Sequence, residues 1–316
     1  MEIILRESTT IFNMSQLIKK VFEKPYLILP VCWRKCSRLI KSDKLYLKVY
    51  YRLSLGKKLD LKNPKTFTEK IQWLKLHNTS PLCTQLVDKY GVREYVKEKI
   101  GAEHLVPLLG VWDSFDDIDF GHLPERFVLK TTHDSGGVVI CRDKNKLDVK
   151  NARKVLTKSL SRNYFWNGRE YPYKNVKPRI IAEQFMEGED RGYLVDYKFF
   201  CFDGEPKILF FASNRYNADH TPPRFDYYDM QMNHLPVRSK GHDNADTKLA
   251  MFPEFLEMQE FARKLSQGFP HVRVDLFISK GKIYFGEMTF HHDGGLVPFI
   301  PEEWDTKFGE MIKLPQ

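Results

Sequence analysis

VRVDLFISKGKIYFGEMTFHH, residues 272–292, reads as two strands joined by a tight turn, with VRVDLFI and IYFGEMT flanking SKGK. β-Branched and aromatic residues on both sides of a glycine-containing loop make the hairpin pattern. An antiparallel pair brings Asp275 on the first strand near Glu287 and Thr289 on the second, with Arg273 two residues before the aspartate on the same face. Two carboxylates and a hydroxyl then converge at one end of a buried hairpin. Burying them is costly without a positive charge among them, and a hard, all-oxygen donor set beside one arginine suits Mg²⁺ carrying phosphate oxygens. Taken alone, the stretch also reads as a surface hairpin with solvated charges, so the decision comes from upstream.

Immediately before it, FPEFLEMQEFARKLSQGF (252–269) has the spacing of an amphipathic helix. DYKFFCFDGEPKILFFAS (196–213) is a second hairpin with Asp203-Gly204 at its tip. The polar segment 214–250 between them is expected to be an irregular substrate loop. IIAEQFMEG (180–188) is a short buried strand running to a turn, residues 148–165 are helical, and RFVLKTTHDSGGVVICRD (126–143) is strand, loop, strand around THDSGG. Pro107 keeps LVPLLGVWDSF (105–115) extended. DKYGVREYVKEKIG (88–101) reads as a helix begun near Lys89 and ended by Gly101. TFTEKIQWLKLH (66–77) is a helix opened by a Thr66/Glu69 capping box, with Phe67, Ile71 and Leu74 on one face. Residues 14–55 are mainly helical, with Gly56 as a C-cap. The mixture is α/β.

Charge is unevenly placed. The chain of 316 residues carries +9, and residues 1–60 hold thirteen Lys and Arg against five Asp and Glu. The remainder is nearly neutral, so the basic character belongs to one arm, suited to anionic lipid, an acidic polymer or nucleic acid. The apolar run YLILPVCW (26–33) is too short to cross a bilayer and contains Pro30, and the first fourteen residues lack the pattern of a secretory signal. Five scattered cysteines make neither a disulfide framework nor paired zinc spacing. A cytoplasmic protein, peripheral at the inner membrane face through its arm, is the expectation. Aromatics are plentiful, but no basic and aromatic stripe beyond the arm points to nucleic acid.

Several residues carry chemistry only in combination. Lys130 closes a strand and is followed by Ser135, Gly136 and Gly137, where backbone N–H groups can turn toward a phosphate. A Gly-Gly hairpin turn does the same without a ligand, and neither the Walker nor the Rossmann glycine spacing is present. Glu183 ends an apolar strand, Asp190 lies beyond the next turn, and Lys89 stands alone upstream.

The linear order Lys89, Lys130 with its glycine loop, Glu183, Asp190, Arg273, Asp275, Glu287, Thr289 resembles that of ATP-grasp enzymes of the D-alanine–D-alanine ligase type. NPKTFTEKIQWLKLH, DKYGVREYVKEKIG, FVLKTTHDSGG and DYKFFCFDGEP look like the TupA-like branch, associated with teichuronopeptide and capsular polysaccharide synthesis. The resemblance runs from about residue 44 onward. It implies an ATP-grasp α/β (α+β) fold, with two subdomains clasping ATP. The expected divisions are a helical basic arm over 1–60, an N-terminal region over 61–112, a lid subdomain over 113–182 and a catalytic subdomain over 183–316.

Carried over residue by residue, the resemblance implies that Lys89 and Lys130 hold the α- and β-phosphates of ATP, under a loop of Ser135, Gly136 and Gly137. Glu183 and the backbone of Met186 read adenine, and Asp190 binds ribose. Asp275 and Glu287 hold two Mg²⁺ ions, with Thr289 as a third oxygen where the family has Asn. Arg273 steadies an acyl phosphate. FHHDGGLVPF departs from the family's continuation, which leaves His291, His292 and Asp293 for the acceptor. Lys198, Asn214, Arg215, Arg224 and Arg238 are candidates for an acidic substrate, and Lys65 and Lys70 for the same from the N-terminal side.

The implied activity is ADP-forming carboxylate–amine ligation that attaches an amino acid or amine to a uronic-acid saccharide or its precursor. Two alternatives stay open: a metal-dependent glycosyltransferase, which would leave the two lysines and the glycine loop unexplained, and a non-catalytic nucleotide- or glycan-binding member of the fold.

Overall fold

The computed structural model describes residues 28–188, 194–213, 222–246 and 248–315. In chain order the elements are helices α1 (Ile28–Lys35), α2 (Asp43–Leu55), α3 (Phe67–His77), α4 (Pro81–Val87) and α5 (Val92–Ile100), then strands β1 (Leu108–Trp112), β2 (Phe127–Thr131) and β3 (Val138–Cys141). Helices α6 (Val149–Leu160) and α7 (Phe165–Gly168) precede strands β4 (Ile180–Gln184), β5 (Asp196–Phe202), β6 (Glu205–Ser213), β7 (Arg224–Asp229) and β8 (Arg238–Ser239). Helix α8 (Phe255–Ser266), strands β9 (His271–Ser279), β10 (Lys282–Thr289) and β11 (Phe299–Ile300), and helix α9 (Glu303–Met311) complete the order.

Two antiparallel sheets carry the architecture. The smaller has the order β1-β4-β2-β3 and the larger β10-β9-β5-β6-β7, while β8 and β11 pair separately. The two hairpins read from the sequence are both present. Asp203 and Gly204 have φ of 52° and 78°, and Lys280 and Gly281 have φ of 52° and 67°. Positive φ at both central residues is the geometry whose twist matches the flanking strands. The second turn is therefore Lys280-Gly281 alone, and Ser279 and Lys282 belong to the strands.

Alternation then sorts the larger sheet into two faces. Phe199, Cys201, Leu209, Val272, Val274 and Leu276 pack against Phe255, Met258, Ala262 and Leu265 of α8. Phe200, Phe202, Ile208, Phe210 and Tyr227 point the other way, onto Phe67, Ile71 and Leu74 of α3 and Phe308 of α9. Burying one such phenylalanine contributes roughly 2–3 kcal/mol, so each helix is held by its apolar stripe more than by propensity. The smaller sheet rests Phe127, Leu129, Ile180 and Ala182 on Ala152 and Leu156 of α6.

The helix caps follow the sequence. Thr66 Oγ1 accepts from Glu69 N, the Glu69 carboxylate accepts in turn from Thr66 N, and Gly56 ends α2 at φ 72°. Three readings need correction. Lys89 does not begin a helix. It lies in the turn between α4 and α5, and α4 itself, opened by Ser80 as N-cap with Pro81 at its first position, went unread. Nor is the segment 214–250 all loop, because β7 adds an edge strand to the larger sheet and β8 pairs with β11.

Candidate active site

Strand pairing builds the centre of the site. Glu287 on β10 stands opposite Asp275 on β9, Asp275 stands opposite Lys198 on β5, and Thr289 stands opposite Arg273. A bulge between Phe285 and Glu287 makes this possible. In the uninterrupted register Gly286 would face Asp275 and Glu287 would point toward α8; the extra residue turns Glu287 onto the aspartate's face. The bulge requires a close approach, since a Cβ on Gly286 would lie 3.0 Å from the carbonyl oxygen of Asp275.

Asp275 is buried, and its two oxygens are held by two cations. Arg273 donates from Nε to Oδ1 at 2.7 Å and from Nη2 to Oδ2 at 2.8 Å, and Lys198 Nζ donates to Oδ2. Burial works to raise the carboxyl's pKa, but Arg273 and Lys198 outweigh it and hold it at about 2. Arg273 Nη2 also reaches Glu287 Oε1 at 3.0 Å, and its Nη1 donates to His292 Nδ1 at 2.9 Å. Because Arg273 has only donors, His292 must accept there in its neutral form. Burial, opposed by Asp293, pushes the imidazole down to about 4.

The second group of residues comes from the smaller sheet and the α4–α5 turn. Lys130 Nζ donates to Glu183 Oε2 at 2.8 Å across the β2–β4 pair, and Arg93 Nη1 lies 3.5 Å from the other oxygen of Glu183. Lys89 is tied to the loop after β2 twice, its N–H donating to Thr132 O at 3.0 Å and its Nζ to Asp134 O at 2.6 Å. Burial lowers the Lys89 pKa, while Glu287 and Asp134 pull it back up. The same Lys89 thus senses both sheets.

The glycine loop is set by a hydroxyl cluster that the sequence reading missed. Asp134, buried, accepts from Thr131 Oγ1 and Ser159 Oγ, and the two hydroxyls lie 2.8 Å apart. Gly137 packs onto this cluster so closely that a Cβ would come within 2.0 Å of Thr131 Oγ1 and 2.3 Å of Ser159 Oγ. Gly136 has a φ of 112° and open space around it, and Ser135 precedes it at the exposed tip. Met186 is half-buried just beyond β4, where Ser279 Oγ donates to Glu187 O at 2.7 Å and ties the smaller sheet's exit to the larger sheet.

A third buried group lies behind His292. Lys75 Nζ donates to Gly294 O at 2.7 Å, and Gln72 Nε2 to the carbonyls of Gly294 and Gly295 at 2.8 and 3.0 Å. These bonds hold Asp293, Gly294 and Gly295, all at positive φ. Burial, partly offset by Glu170, pushes Lys75 down to about 8. His291 Nδ1 lies 3.3 Å from Glu170 Oε2, out of line for a hydrogen bond. The clue in the sequence was a lysine four residues after Ile71, on the apolar side of α3.

The remaining candidates divide. Lys198 lies on a strand, as the 196–213 hairpin predicts, but it is buried and bonded to Asp275 and Asp196 instead of being open to a substrate. Arg224 stands on β7, the edge of the larger sheet opposite β10, and Arg238 on β8, which pairs with β11; both pair with Asp243. His291 is buried against Glu170 and His292 against Arg273, so neither faces outward. Lys70 is used structurally, donating to Gly309 O and Ile312 O. Lys65 is exposed before α3, and its backbone N–H donates to Glu69. Asp190, Asn214 and Arg215 lie outside the described residues.

Among the described residues, no three His, Cys, Asp or Glu side chains converge as a metal site. Two carboxylates do converge, and this suits Mg²⁺, which is held by one or two carboxylates together with substrate phosphates. Asp275 offers about four lone-pair sites. Three of them accept from Arg273 and Lys198.

A family model described as TupA-like ATPgrasp matches residues 69–313. Comparison with curated proteins returns no match. Among solved structures, the chain is similar to an L-amino acid ligase from Bacillus licheniformis, at 14% identity and a TM-score of 0.42, covering 81% of this chain and 55% of that one. D-alanine–D-alanine ligase from Helicobacter pylori is similar at 15% identity and a TM-score of 0.38, covering 80% and 70%. The Bacillus anthracis enzyme complexed with ATP is similar at 14% identity and a TM-score of 0.36, covering 65% and 53%. The chain thus spans about half the length of two of these three structural relatives.

Proposed function

This chain belongs to the TupA-like ATP-grasp family, and from that premise we propose that it is an ATP- and Mg²⁺-dependent carboxylate–amine ligase acting through an acyl phosphate. The supporting observation is the placement of Asp275, Glu287 and Arg273 on one face of the larger sheet, with Lys89 bonded to the loop that follows the strand of Lys130. The three structural relatives described above are named as D-alanine–D-alanine or L-amino acid ligases, one of them complexed with ATP.

In the reaction, a carboxylate oxygen of the acceptor attacks the γ-phosphorus and the bond to ADP breaks. An amine then attacks the acyl carbon, loses a proton, and phosphate leaves with the former carboxylate oxygen. Mg²⁺, held by Asp275 and Glu287 with Thr289 at the strand end, supplies neutralisation of phosphate charge. Lys89 and Lys130 hold the phosphates, Glu183 and the Met186 backbone hold adenine, and Asp190 the ribose. The loop Ser135–Gly137 covers the phosphates and excludes water. Arg273 stabilises charge on the transferring group, kept in place by His292 and Asp275. Asp293 contacts the acceptor, whose class we propose to be a uronic-acid saccharide or its precursor.

The test is release of ADP and phosphate with Mg²⁺, pooled uronic-acid saccharides and pooled amino acids, beside Glu287→Ala. Turnover that needs both pools and disappears in the variant supports the ligase. ATP that neither binds nor turns over with any pool removes it.

A further inference from the structure

Residues 28–58 carry nine Lys and Arg and one acid, Asp43. Asp43 is already taken by Arg169. Of the nine cations only Lys57 enters an ion pair among the described residues, with Glu302. The surplus is therefore presented outward, and α2 shows where. At about 100° per residue, Lys44, Leu45, Lys48 and Arg52 fall within an arc of roughly 100°. All four are exposed, while Tyr46, Leu47, Tyr50 and Tyr51 on the other side are buried. Lys44, Lys48 and Arg52 succeed one another at about 6 Å intervals along the axis. Beside them Lys48, Arg52 and Lys58 line a depression of about 310 Å³.

The face is also apolar in a way that a solvated helix is not. Leu45 is 53% exposed, and Leu39, in the turn leading into α2, is 81% exposed. Its orientation is fixed from behind. Tyr46 OH donates to Asn167 O at 3.2 Å, Tyr51 OH lies 2.9 Å from Thr68 Oγ1, and Arg169 binds Asp43, Ser37 O and Ile40 O.

We propose that this face of α2, with Leu39 and Leu45 among Lys44, Lys48, Arg52 and Lys58, docks the protein on a bilayer with anionic headgroups. Cations bind the headgroup phosphates and the leucines enter the boundary between headgroups and acyl chains. A soluble acidic polymer would use the cations but gain nothing from the leucines, and so the bilayer is favoured. No helix among the described residues is long and apolar enough to span a membrane, so the contact is peripheral. The inference is independent of the ligase reading.

The experiment is co-sedimentation of the full chain with phosphatidylglycerol–phosphatidylcholine vesicles and with pure phosphatidylcholine, for the native sequence, Lys44→Glu/Lys48→Glu and Leu39→Ser/Leu45→Ser. Circular dichroism confirms folding of these surface variants, and ATP turnover in vesicle-free buffer serves as the control for the ligase. Binding only to the anionic vesicles, weakened about tenfold or more by the charge reversals and also by the leucine changes, is the expected result. Three results overturn it: equal binding to both vesicle types or to neither, binding that ignores the α2 variants, or binding that ignores the leucine pair and is abolished by soluble polyglutamate.

Discussion

Glu287 faces Asp275 across β9 and β10 because Gly286 occupies a bulge, and without that extra residue the two carboxylates would lie on opposite sides of the sheet. The carboxylate pair proposed to hold Mg²⁺ thus depends on a backbone irregularity as much as on the acids. Gly286→Val presses a branched side chain onto the Asp275 carbonyl, 3.0 Å from the first added carbon. We expect Mg²⁺-dependent turnover to fall about tenfold or more while the hairpin still forms, measured as rate against Mg²⁺ concentration beside a circular dichroism melt.

The two loop glycines should separate sharply. Gly137→Ala places a carbon within 2.3 Å of both Thr131 Oγ1 and Ser159 Oγ, which break their bonds with Asp134 or move apart. A loss of about 2 kcal/mol is expected, with faster hydrogen exchange in β2 and β3. Gly136→Ala meets nothing but carries a φ of 112°, and about 1 kcal/mol is expected. ATP binding suffers in both, and the melting temperature distinguishes them.

Arg273→Met leaves buried Asp275 with Lys198 as its remaining cation, and removes the donor to His292. Removal of one partner from a buried ion pair costs about 3–5 kcal/mol. Denaturant unfolding should show a loss of this order, and Arg273→Lys should recover only part of it because one ammonium cannot make the fork of bonds to Asp275 and Glu287.

His271 gives a pH signature. Burial, opposed by its bond to Cys201 O, lowers its pKa from 6.5 to about 3. Above pH 6.5 both folded and unfolded forms are neutral and stability is full. As pH falls toward 3 the unfolded chain takes up a proton that the folded chain refuses, and stability is lost at up to about 1.4 kcal/mol per pH unit. His271→Phe, in a pocket of Phe67, Phe200 and Phe202, should flatten that slope in unfolding measured from pH 7 to 4.

What the sequence reveals follows from period and turn chemistry. Both long hairpins are legible because alternating strands meet at Asp203-Gly204 and Lys280-Gly281. The β10 bulge is visible only in retrospect, since the buried positions run Ile283, Phe285, then Met288 and break the alternation there. Strand β7, RFDYYD, hides among polar neighbours because Asp226 is buried to accept from Ala245 N and bond His234, roles that no local pattern announces. Lys198 is legible as a strand residue but not as the second cation on Asp275, because that pairing joins residues 77 apart. Lys75 shows in the sequence only as a lysine on the apolar side of α3, because its partner Gly294 is distant, and the Ser159 partner of Asp134 likewise comes from another segment.

The most direct test of an acyl-phosphate ligase is the fate of the carboxylate oxygen. Turnover with Mg²⁺, ATP, pooled amino acids and uronic acids carrying ¹⁸O in the carboxyl group should release ADP and phosphate, with the label passing into the phosphate. Glu287→Ala should release neither. Unlabelled phosphate accompanying an amide product, or AMP and pyrophosphate in place of ADP, would contradict the account.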